Sequence, residues 1–404
     1  MNDIAEQYVQ LVLAVGEHDG DYVDAYYGPP AWREAEKARR RPLAEIRAAS
    51  DSLVAALGTA PAAGASLDAL RQRFLVRQLQ ALAARVDMLQ GRRFTFDEES
   101  RALYDAVAPT HDEAYFQRTL DELARALPGD GRVDERYQAW RRQFVVPRER
   151  LDSVFSTAVR ACRERTARHV SLPAGETFTI EYVTDKPWSG YNWYQGNVTS
   201  LIQVNTSLPI YIDRALDLAC HEGYPGHHVY NALLESELVR RRGFVELTVY
   251  PLFSPMSLIA EGSANYGIEM AFPGAERVAF ERASLWPLAG LDAARADEYY
   301  RVQELVHRLS YAGNEAARRY LNGEIDRAAA ITWLTRYALM SEAAATQRIR
   351  FFDTYRSYVI NYNLGQDLVK AWVEREAGPG ATNARRWEVF RELLASPRLP
   401  GDLR

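Results

Sequence analysis

The chain has 404 residues, of which 47% are hydrophobic and 25% charged, a composition typical of a soluble globular protein with one large domain or two moderate ones. Its formal net charge is −5 and the two signs are interspersed, which argues against a nucleic-acid partner. Acids occur early, at Asp3 and Glu6, and no apolar run reaches the ~20 residues of a membrane span, so we expect neither a signal peptide nor a membrane partner. A cytoplasmic protein is therefore expected, and the sequence leaves its oligomeric state open.

Helical periodicity dominates the sequence. Apolar residues recur at steps of three and four among Ala, Leu, Arg and Glu in the stretches 66–90, 110–127, 133–169, 276–312, 324–350 and 384–396. Clusters of Gly and Pro, such as TAPAAGAS at 59–66 and LPAGE at 172–176, mark breaks between helices. We predict a helical N-terminal region, 1–172, and a second region, 173–404, which can together form one compact unit around a central cleft.

The two cysteines, Cys162 and Cys220, lie far apart in sequence and form no CxxC motif. This number and spacing indicate no disulfide framework. We predict that each is a small buried apolar residue.

One region departs from the helical pattern. Residues 177–185, TFTIEYVTD, alternate and are rich in β-forming residues, and residues 197–205, NVTSLIQVN, form a second such run. The aromatic and glycine-rich KPWSGYNWYQG lies between them and is predicted to be a loop. The predicted fold is therefore mainly α, with one small β-sheet just before a histidine-rich segment.

Residues 219–235, ACHEGYPGHHVYNALLE, hold three of the seven histidines of the chain. His221 is followed directly by Glu222, a pair that lets the histidine bind a metal while the carboxylate reaches a metal-activated water. In the usual helical zinc motif the second histidine comes four residues after the first, but that position is Pro225. Asp217, one turn before His221, is a candidate to orient its imidazole.

Two later histidines compete for the role of second ligand. His227 lies six residues after His221 and would point about 240° around a regular helix. Pro225 and Gly226 can let the helix bulge there and return His227 to the site. His228 would share the face of His221 in a straight helix, but about 10 Å farther along it. We favour His227 as the ligand and give His228 a supporting or substrate-contacting catalytic role, with the choice between them open.

The third ligand is expected from residues 254–272, SPMSLIAEGSANYGIEMAF, which are predicted to form another helix. Glu261 follows an apolar run, where an unpaired carboxylate is costly to bury and a metal partner would remove that cost. Glu269, two turns later, either supports the site or is exposed. Glu235 and Glu237 continue the histidine-bearing helix and are expected to point away from the site.

Four aromatic residues in the last part of the chain, Phe351, Tyr355, Tyr358 and Tyr362, are spaced as one stripe of a helix. Phe351 and Tyr355 are predicted to be core residues. A neutral phenol near a metal can donate a hydrogen bond to the oxyanion of a tetrahedral intermediate. We give this catalytic role to Tyr362, with Tyr358 as the second candidate.

HEGYPGHH at 221–228 resembles the HExxPGHH signature of the family called domain of unknown function 885, which is grouped with the thermolysin-like, glutamate-ligand zinc peptidases, or gluzincins. EGSANY at 261–266 is similar to its EGxAxY segment. RSYVINYNLGQ at 356–366 is similar to a stretch of the type YPGQALAYKIG, without its proline. The resemblance covers roughly residues 180–370. Ser263 stands where many members have Trp, which puts substrate contacts in question more than the metal.

The resemblance implies that His221, His227 and Glu261 bind a single zinc ion and that Glu222 is the general base. It also implies that residues 198–204 form an edge strand above the zinc, which pairs with an extended peptide substrate. An ordinary edge strand with aromatic packing explains the same residues equally well.

We therefore predict a zinc-dependent hydrolase, a metallopeptidase that cleaves short peptides, with its catalytic residues in 173–404. Two alternatives remain: a catalytically silent helical binding protein that keeps the fold, and a zinc amidohydrolase that acts on a non-peptide small molecule. The presence of Glu222 speaks mildly against the first, because this residue is easily lost without harm to the fold. The sequence does not give the substrate length, the position of cleavage or the side-chain preference.

Overall fold

Helices make up 68% of the chain and strands 8%, in a computed structural model that describes residues 1–58 and 66–404. This confirms the predicted mainly α fold with a small sheet. The predicted break at 59–66 lies, apart from Ser66, outside the described residues. None of the described helices combines the length and the hydropathy that crossing a bilayer requires.

The N-terminal region contributes eight α-helices to the described part of the chain. These are α1 Asn2–Gly16, α2 Pro30–Arg39, α3 Leu43–Leu57, α4 Leu67–Leu89, α5 Phe96–Tyr104, α6 Glu113–Ala126, α7 Val133–Arg141 and α8 Leu151–Ala167. The periodic stretch 133–169 is divided into α7 and α8 by two short 3₁₀ turns, because Pro147 lacks a backbone donor and restricts the residue before it.

The second region contributes the remaining described α-helices. These are α9 Ile212–Leu218, α10 His227–Leu233, α11 Pro255–Ala271, α12 Ala275–Phe280, α13 Trp286–Ala289, α14 Ala296–His307, α15 Ala312–Leu321, α16 Arg327–Tyr337, α17 Glu342–Tyr355, α18 Ile360–Ala377 and α19 Asn383–Leu394. The periodic stretches 276–312 and 324–350 are each divided into shorter helices. Gly290, with φ +72°, ends α13 within the first of them.

Five strands of the described residues form two small sheets: β1 Val23–Tyr26, β2 Thr177–Val183, β3 Gly190–Gly196, β4 Thr199–Asn205 and β5 Val249–Pro251. The larger sheet has the order β2-β4-β3, with β4 parallel to β2 and antiparallel to β3. The predicted loop KPWSGYNWYQG is therefore wrong in its second half, where Tyr and Trp side chains suit the pleated strand β3. The predicted edge strand at 198–204 is also wrong, because β4 is hydrogen-bonded on both sides and the edges are β2 and β3.

One cluster of buried apolar side chains extends through both predicted regions, from Ala5 in α1 to Leu403. The smaller sheet also joins them, because β1 pairs antiparallel with β5. Cys162 in α8 and Cys220 are both buried, as predicted, but they form a disulfide with Cα atoms 5.7 Å apart. The prediction that they are unpaired was wrong, because their 58-residue separation gives no sign that α8 packs against the histidine-rich segment.

Candidate metal centre

The histidine-rich segment is an interrupted helix. α9 continues into a π-helical turn, Ala219–Gly223, and the chain then bends through a cis Tyr224–Pro225 peptide bond before α10 begins at His227. A π-helical turn inserts an extra residue relative to α-helical geometry. Residues 212–233, called the broken helix below, therefore contain the bulge that the sequence predicts.

Gly226 lets the broken helix fold back on itself. A Cβ atom at this position would lie 1.8 Å from the carbonyl oxygen of His221 and 2.5 Å from that of Cys220. The Gly226 N–H donates to the Cys220 carbonyl at 2.9 Å. Because backbone atoms cannot move aside as a flexible side chain can, only glycine fits here. The close approach returns His227 to the side of His221.

Three potential metal-ligand atoms, one each from His221, His227 and Glu261, lie within 4.8 Å of one another. Nε2 of His221 lies 3.1 Å from Nε2 of His227. Oε2 of Glu261 lies 3.2 Å from the first nitrogen and 3.6 Å from the second. Ligand atoms about 2.05 Å from a tetrahedral zinc ion are about 3.3 Å from one another. The triangle therefore has the dimensions of a zinc site.

Asn265 orients the imidazole of His221. Its Oδ1 lies 2.9 Å from Nδ1 of His221, and its Nδ2 donates to the Tyr362 carbonyl at 3.0 Å. Because the amide nitrogen already has an acceptor, the amide oxygen faces His221 and accepts from Nδ1–H, which leaves the lone pair on Nε2. Asn265 lies one turn after Glu261 in α11, so a single helix supplies one ligand and orients another.

The structure contradicts the orienting role predicted for Asp217. Its carboxylate instead pairs with Arg277 at 2.8 Å and with Arg214 at 3.3 Å. Glu269 is partly exposed and pairs with Lys370 at 2.7 Å. Both carboxylates are held by cations outside the ligand triangle.

Glu261 is buried in α11, with 6% of its surface exposed. The Tyr358 hydroxyl donates to its Oε1 at 2.8 Å, whereas Oε2 has no hydrogen-bond partner among the described residues. Burial acts to raise the pKa of Glu261, but the adjacent imidazoles of His221 and His227 outweigh it and lower the pKa well below its usual range. The group is thus an ionised carboxylate with one oxygen free to bind a cation.

Glu222 follows the first ligand directly and is 4% exposed. Its Oε2 has no hydrogen-bond partner in the described part of the chain. Burial raises the pKa of Glu222, while the neighbouring His221 and His227 act in the opposite direction. A Cβ atom on Gly190 would lie 2.7 Å from Oε1 of Glu222, so the start of β3 passes directly over this carboxyl group.

The aromatic stripe spans a break between two helices. α17 ends at Tyr355, Arg356 adopts φ +51°, and a 3₁₀ turn containing Tyr358 leads into α18. Phe351 and Tyr355 are buried, as predicted, and also line the cavity over the ligands. Tyr362 lines the same cavity, and burial raises its pKa well above the usual value, so its phenol stays protonated and able to donate.

The structure places His228 away from the ligand triangle. The side chain is 0% exposed, with Nδ1 2.9 Å from Ser200 Oγ and Nε2 3.1 Å from Glu176 Oε2. A catalytic or substrate-contacting role is therefore contradicted, because both ring nitrogens are occupied inside the protein. His228 instead ties α10 to β4.

A cavity of about 570 Å³ opens onto the three ligand residues and Glu222. Asp24 of β1 also lines it and accepts a hydrogen bond from the Tyr191 hydroxyl of β3. Burial raises the pKa of Asp24 to about 7, against the opposing effects of Tyr191 and His227. Asp24 is not predictable from the sequence, because nothing in YVDAYYGPP at 22–30 relates this acid to the distant histidines.

Comparisons of the sequence with known proteins give no match, since no family model matches the chain and no curated protein does so. Among solved structures, the chain is similar to "the putative lipoprotein from Colwellia psychrerythraea", with a TM-score of 0.54 and 16% identity over 92% of this chain and 70% of that one. It is also similar to "a putative lipoprotein of unknown function from Shewanella oneidensis", with a TM-score of 0.47 and 12% identity over 91% and 79% of the two chains. The first likeness establishes a shared fold and says nothing of activity.

Proposed function

We propose that the protein is a zinc-dependent hydrolase and, within that class, a peptidase that cleaves short peptides. One joint observation carries the proposal. The donor atoms of His221, His227 and Glu261 form a triangle of 3.1, 3.2 and 3.6 Å, and the buried Glu222 lies beside it with an oxygen that no described residue pairs. The resemblance of HEGYPGHH and EGSANY to the domain of unknown function 885 family supports the same function.

The donor set fits zinc. Two imidazole nitrogens and one carboxylate oxygen are typical catalytic zinc ligands, which leave a fourth position for water or substrate. Glu261 is ionised, and the Asn265 hydrogen bond leaves the Nε2 lone pair of His221 free for the metal. A zinc ion bound by these residues supplies a water of lowered pKa and polarises the substrate carbonyl.

In the proposed reaction one side chain transfers protons, a second stabilises negative charge, and a third positions a metal ligand. Glu222 takes a proton from the attacking water and passes it to the leaving nitrogen, and burial, which raises its pKa, favours acceptance of that proton. Tyr362 donates a hydrogen bond to the carbonyl oxygen as negative charge develops on it. Tyr358 holds Glu261 in place through its hydroxyl.

The cavity dimensions favour a short substrate. About 570 Å³ accommodates a few residues of an extended peptide and not a folded protein. Gly190, Tyr191 and Asn192 of β3 line the cavity, and β3 is an edge strand. We propose that an extended peptide adds to this edge, the role first predicted for 198–204.

Metal analysis combined with Glu222→Gln tests the proposal. The purified protein is expected to bind zinc and to cleave members of a peptide library. Glu222→Gln should keep the zinc and lose at least about 1000-fold in turnover, because general base catalysis is removed. Glu237→Gln, a partly exposed position on the same helical run, is the matched control and should behave like the wild type.

The outcomes separate the alternatives. Absence of bound zinc, even after reconstitution, contradicts the proposal, and an unchanged rate in Glu222→Gln contradicts the assigned base. Zinc binding without cleavage of any peptide or amide indicates a silent binding protein. Cleavage of non-peptide amides alone indicates an amidohydrolase.

The cytoplasmic location expected from the sequence stays a proposal. The Cys162–Cys220 disulfide weighs against it, because such bonds persist mainly in oxidising compartments. Alkylation and mass spectrometry of protein taken directly from cells reads the state of both cysteines. Free thiols agree with the cytoplasm, and an intact disulfide contradicts it.

A further inference from the structure

Three arginines of the described chain line the cavity: Arg141, Arg214 and Arg348. Arg214 is 39% exposed and lies 3.3 Å from Asp217. The negative charge of Asp213 acts to raise the pKa of Arg141, so this arginine has an acidic neighbour. Within residues 1–58 and 66–404, Arg348 has no comparable acidic neighbour, which distinguishes it from the other two.

Arg348 is a partly buried cation, and no acidic side chain in the described part of the chain pairs with it. It lies on α17, with its guanidinium 5.2 Å from the centre of the Phe351 ring. Burial lowers the pKa of Arg348. Two other groups among the described residues also affect this pKa: Tyr362 raises it, and the cation Arg214 lowers it further. A cation–π contact offsets only part of the cost of removing a guanidinium from water. An anion bound in the cavity would supply the missing charge.

The position of Arg348 in the cavity indicates where such an anion would lie with respect to the metal centre. The negative charges of Glu261 and Glu222 and the positive charge of Arg348 all act on the Tyr362 phenol. Arg348 and Tyr362 line the same cavity as the three ligand residues. Because one cavity of about 570 Å³ holds both the guanidinium and the ligand triangle, a substrate anion that pairs with Arg348 would lie only a few residues from the bond that is cleaved.

We propose that Arg348 binds the free carboxylate at the carboxyl end of the peptide, so that cleavage occurs close to that end. This inference rests on the proposed hydrolase function. A planar guanidinium binds a carboxylate through two parallel hydrogen bonds, which gives direction as well as affinity. An acidic side chain of the substrate offers the same chemistry, and the experiment distinguishes these two sources.

Two libraries of N-acetylated tetrapeptides test the inference, identical except that one has free C-terminal acids and the other has amides. Zinc-loaded protein is incubated with each, and mass spectrometry identifies the products. The acids should be cleaved within two residues of the carboxyl end, and the amides at least about 10-fold more slowly.

Equal rates for acids and amides overturn the inference and leave the proposed function intact. Fast cleavage of only those amides that contain Asp or Glu assigns Arg348 to a side chain and also overturns it. Cleavage of neither library contradicts the proposed function, and the inference with it.

A pair of variants assigns the effect to the residue. Arg348→Gln should lower kcat/KM on the acids by about 100-fold, mainly through KM, and bring the ratio of acid to amide rates close to equality. Arg350→Gln, an exposed arginine on the same helix, should keep the wild-type ratio. Unchanged zinc stoichiometry shows that Arg348→Gln is folded.

Calorimetric titration measures the affinity for the peptide separately from its cleavage. The best-cleaved acid and its amide are titrated into zinc-loaded Glu222→Gln, with and without Arg348→Gln. The acid should bind more tightly only where Arg348 is present. A preference for the acid that survives Arg348→Gln overturns the inference.

Discussion

In the broken helix, His221 and His227 lie on either side of an interruption, whereas Glu261 lies inside the regular helix α11. The histidines are close in sequence, yet they meet only because the backbone folds back between them. Glu261 is distant in sequence and needs no local distortion, because the packing of α11 brings it to the site. One half of the centre thus depends on local backbone geometry and the other on helix packing.

Each half depends on a glycine, but the contact differs. Gly226 lies against the carbonyl of His221 within one segment. Gly262 lies against Gly365 of α18, where a Cβ would be 2.4 Å from the Gly365 carbonyl group. The first contact fixes the distance between the two histidines. The second fixes the spacing between Glu261 and the tyrosines at the start of α18, so perturbing each glycine should damage a different part of the site.

Gly226→Ala should have the largest effect. The new methyl group would collide with backbone, so the broken helix must open and His227 must leave the site. We expect zinc affinity to fall by at least about 1000-fold and the free energy of unfolding to fall by about 3 kcal/mol or more. Calorimetric zinc titration and denaturant unfolding measure the two quantities. Gly313→Ala is the control, because a Cβ there meets no heavy atom within 4 Å. Wild-type zinc affinity in Gly226→Ala would show that the fold-back is unnecessary.

Gly262→Ala should damage the other half and spare the first. Separation of α11 and α18 should cost about 2 kcal/mol of stability, as overpacking of a close contact does. Zinc affinity should fall by about 10-fold, since Glu261 adjoins the glycine but both histidines stay in place. Turnover should fall further than zinc affinity, because Tyr362 is carried by α18. Equal losses in affinity and turnover would contradict this division.

Asn265→Ala tests the connection between the halves, because Asn265 belongs to α11 and orients a histidine of the broken helix. Removal of a group that orients a metal ligand should weaken zinc binding by about 10- to 100-fold. Asn265→Asp should restore most of that loss, since a carboxylate still accepts from Nδ1–H of His221. Competition with a fluorescent zinc chelator measures both variants. No loss in Asn265→Ala would refute the orienting role.

The pH dependence of zinc binding should report on His227. Burial opposes its protonated form, but Glu261, with help from Glu222 and Asp24, raises its pKa from 6.5 to about 9 in the metal-free protein. This raised pKa stabilises the metal-free fold below 6.5, and the contribution is lost as the pH rises through about 9. Zinc requires the neutral imidazole, so its apparent affinity should rise about tenfold per pH unit up to about 9. A flat profile between pH 7 and about 9 would contradict the shift.

Sequence predicts these features unequally, for physical reasons. Helical periodicity indicates α4, α6 and α19, because burial of one face repeats with the helical turn. The interruption in the histidine segment is also predictable, because proline and glycine act locally on the backbone. β3, the Cys162–Cys220 disulfide and the central position of β4 follow from tertiary packing and leave no periodic signal.

The candidate site divides in the same way. Adjacent His221 and Glu222, and a glutamate after an apolar run, are visible as residue types in an unusual setting. Asn265 lies one turn after Glu261, so the sequence could have suggested it as a group that orients a ligand. Amide side chains are common on helices, however, and this one does not stand out. Asp24 and Arg348 join the cavity only because β1 and α17 fold over it, and His228 could not be separated from His227 without knowing which way α10 turns.

The zinc affinities of His227→Gln and His228→Gln show which of the two histidines the broken helix returns to the metal. His227→Gln should weaken zinc binding by at least about 100-fold, whereas His228→Gln should bind zinc like the wild type and lose stability, because its buried contacts with Ser200 and Glu176 are lost. Wild-type zinc affinity in His227→Gln, with the loss appearing in His228→Gln, would contradict the assignment of His227 as the ligand.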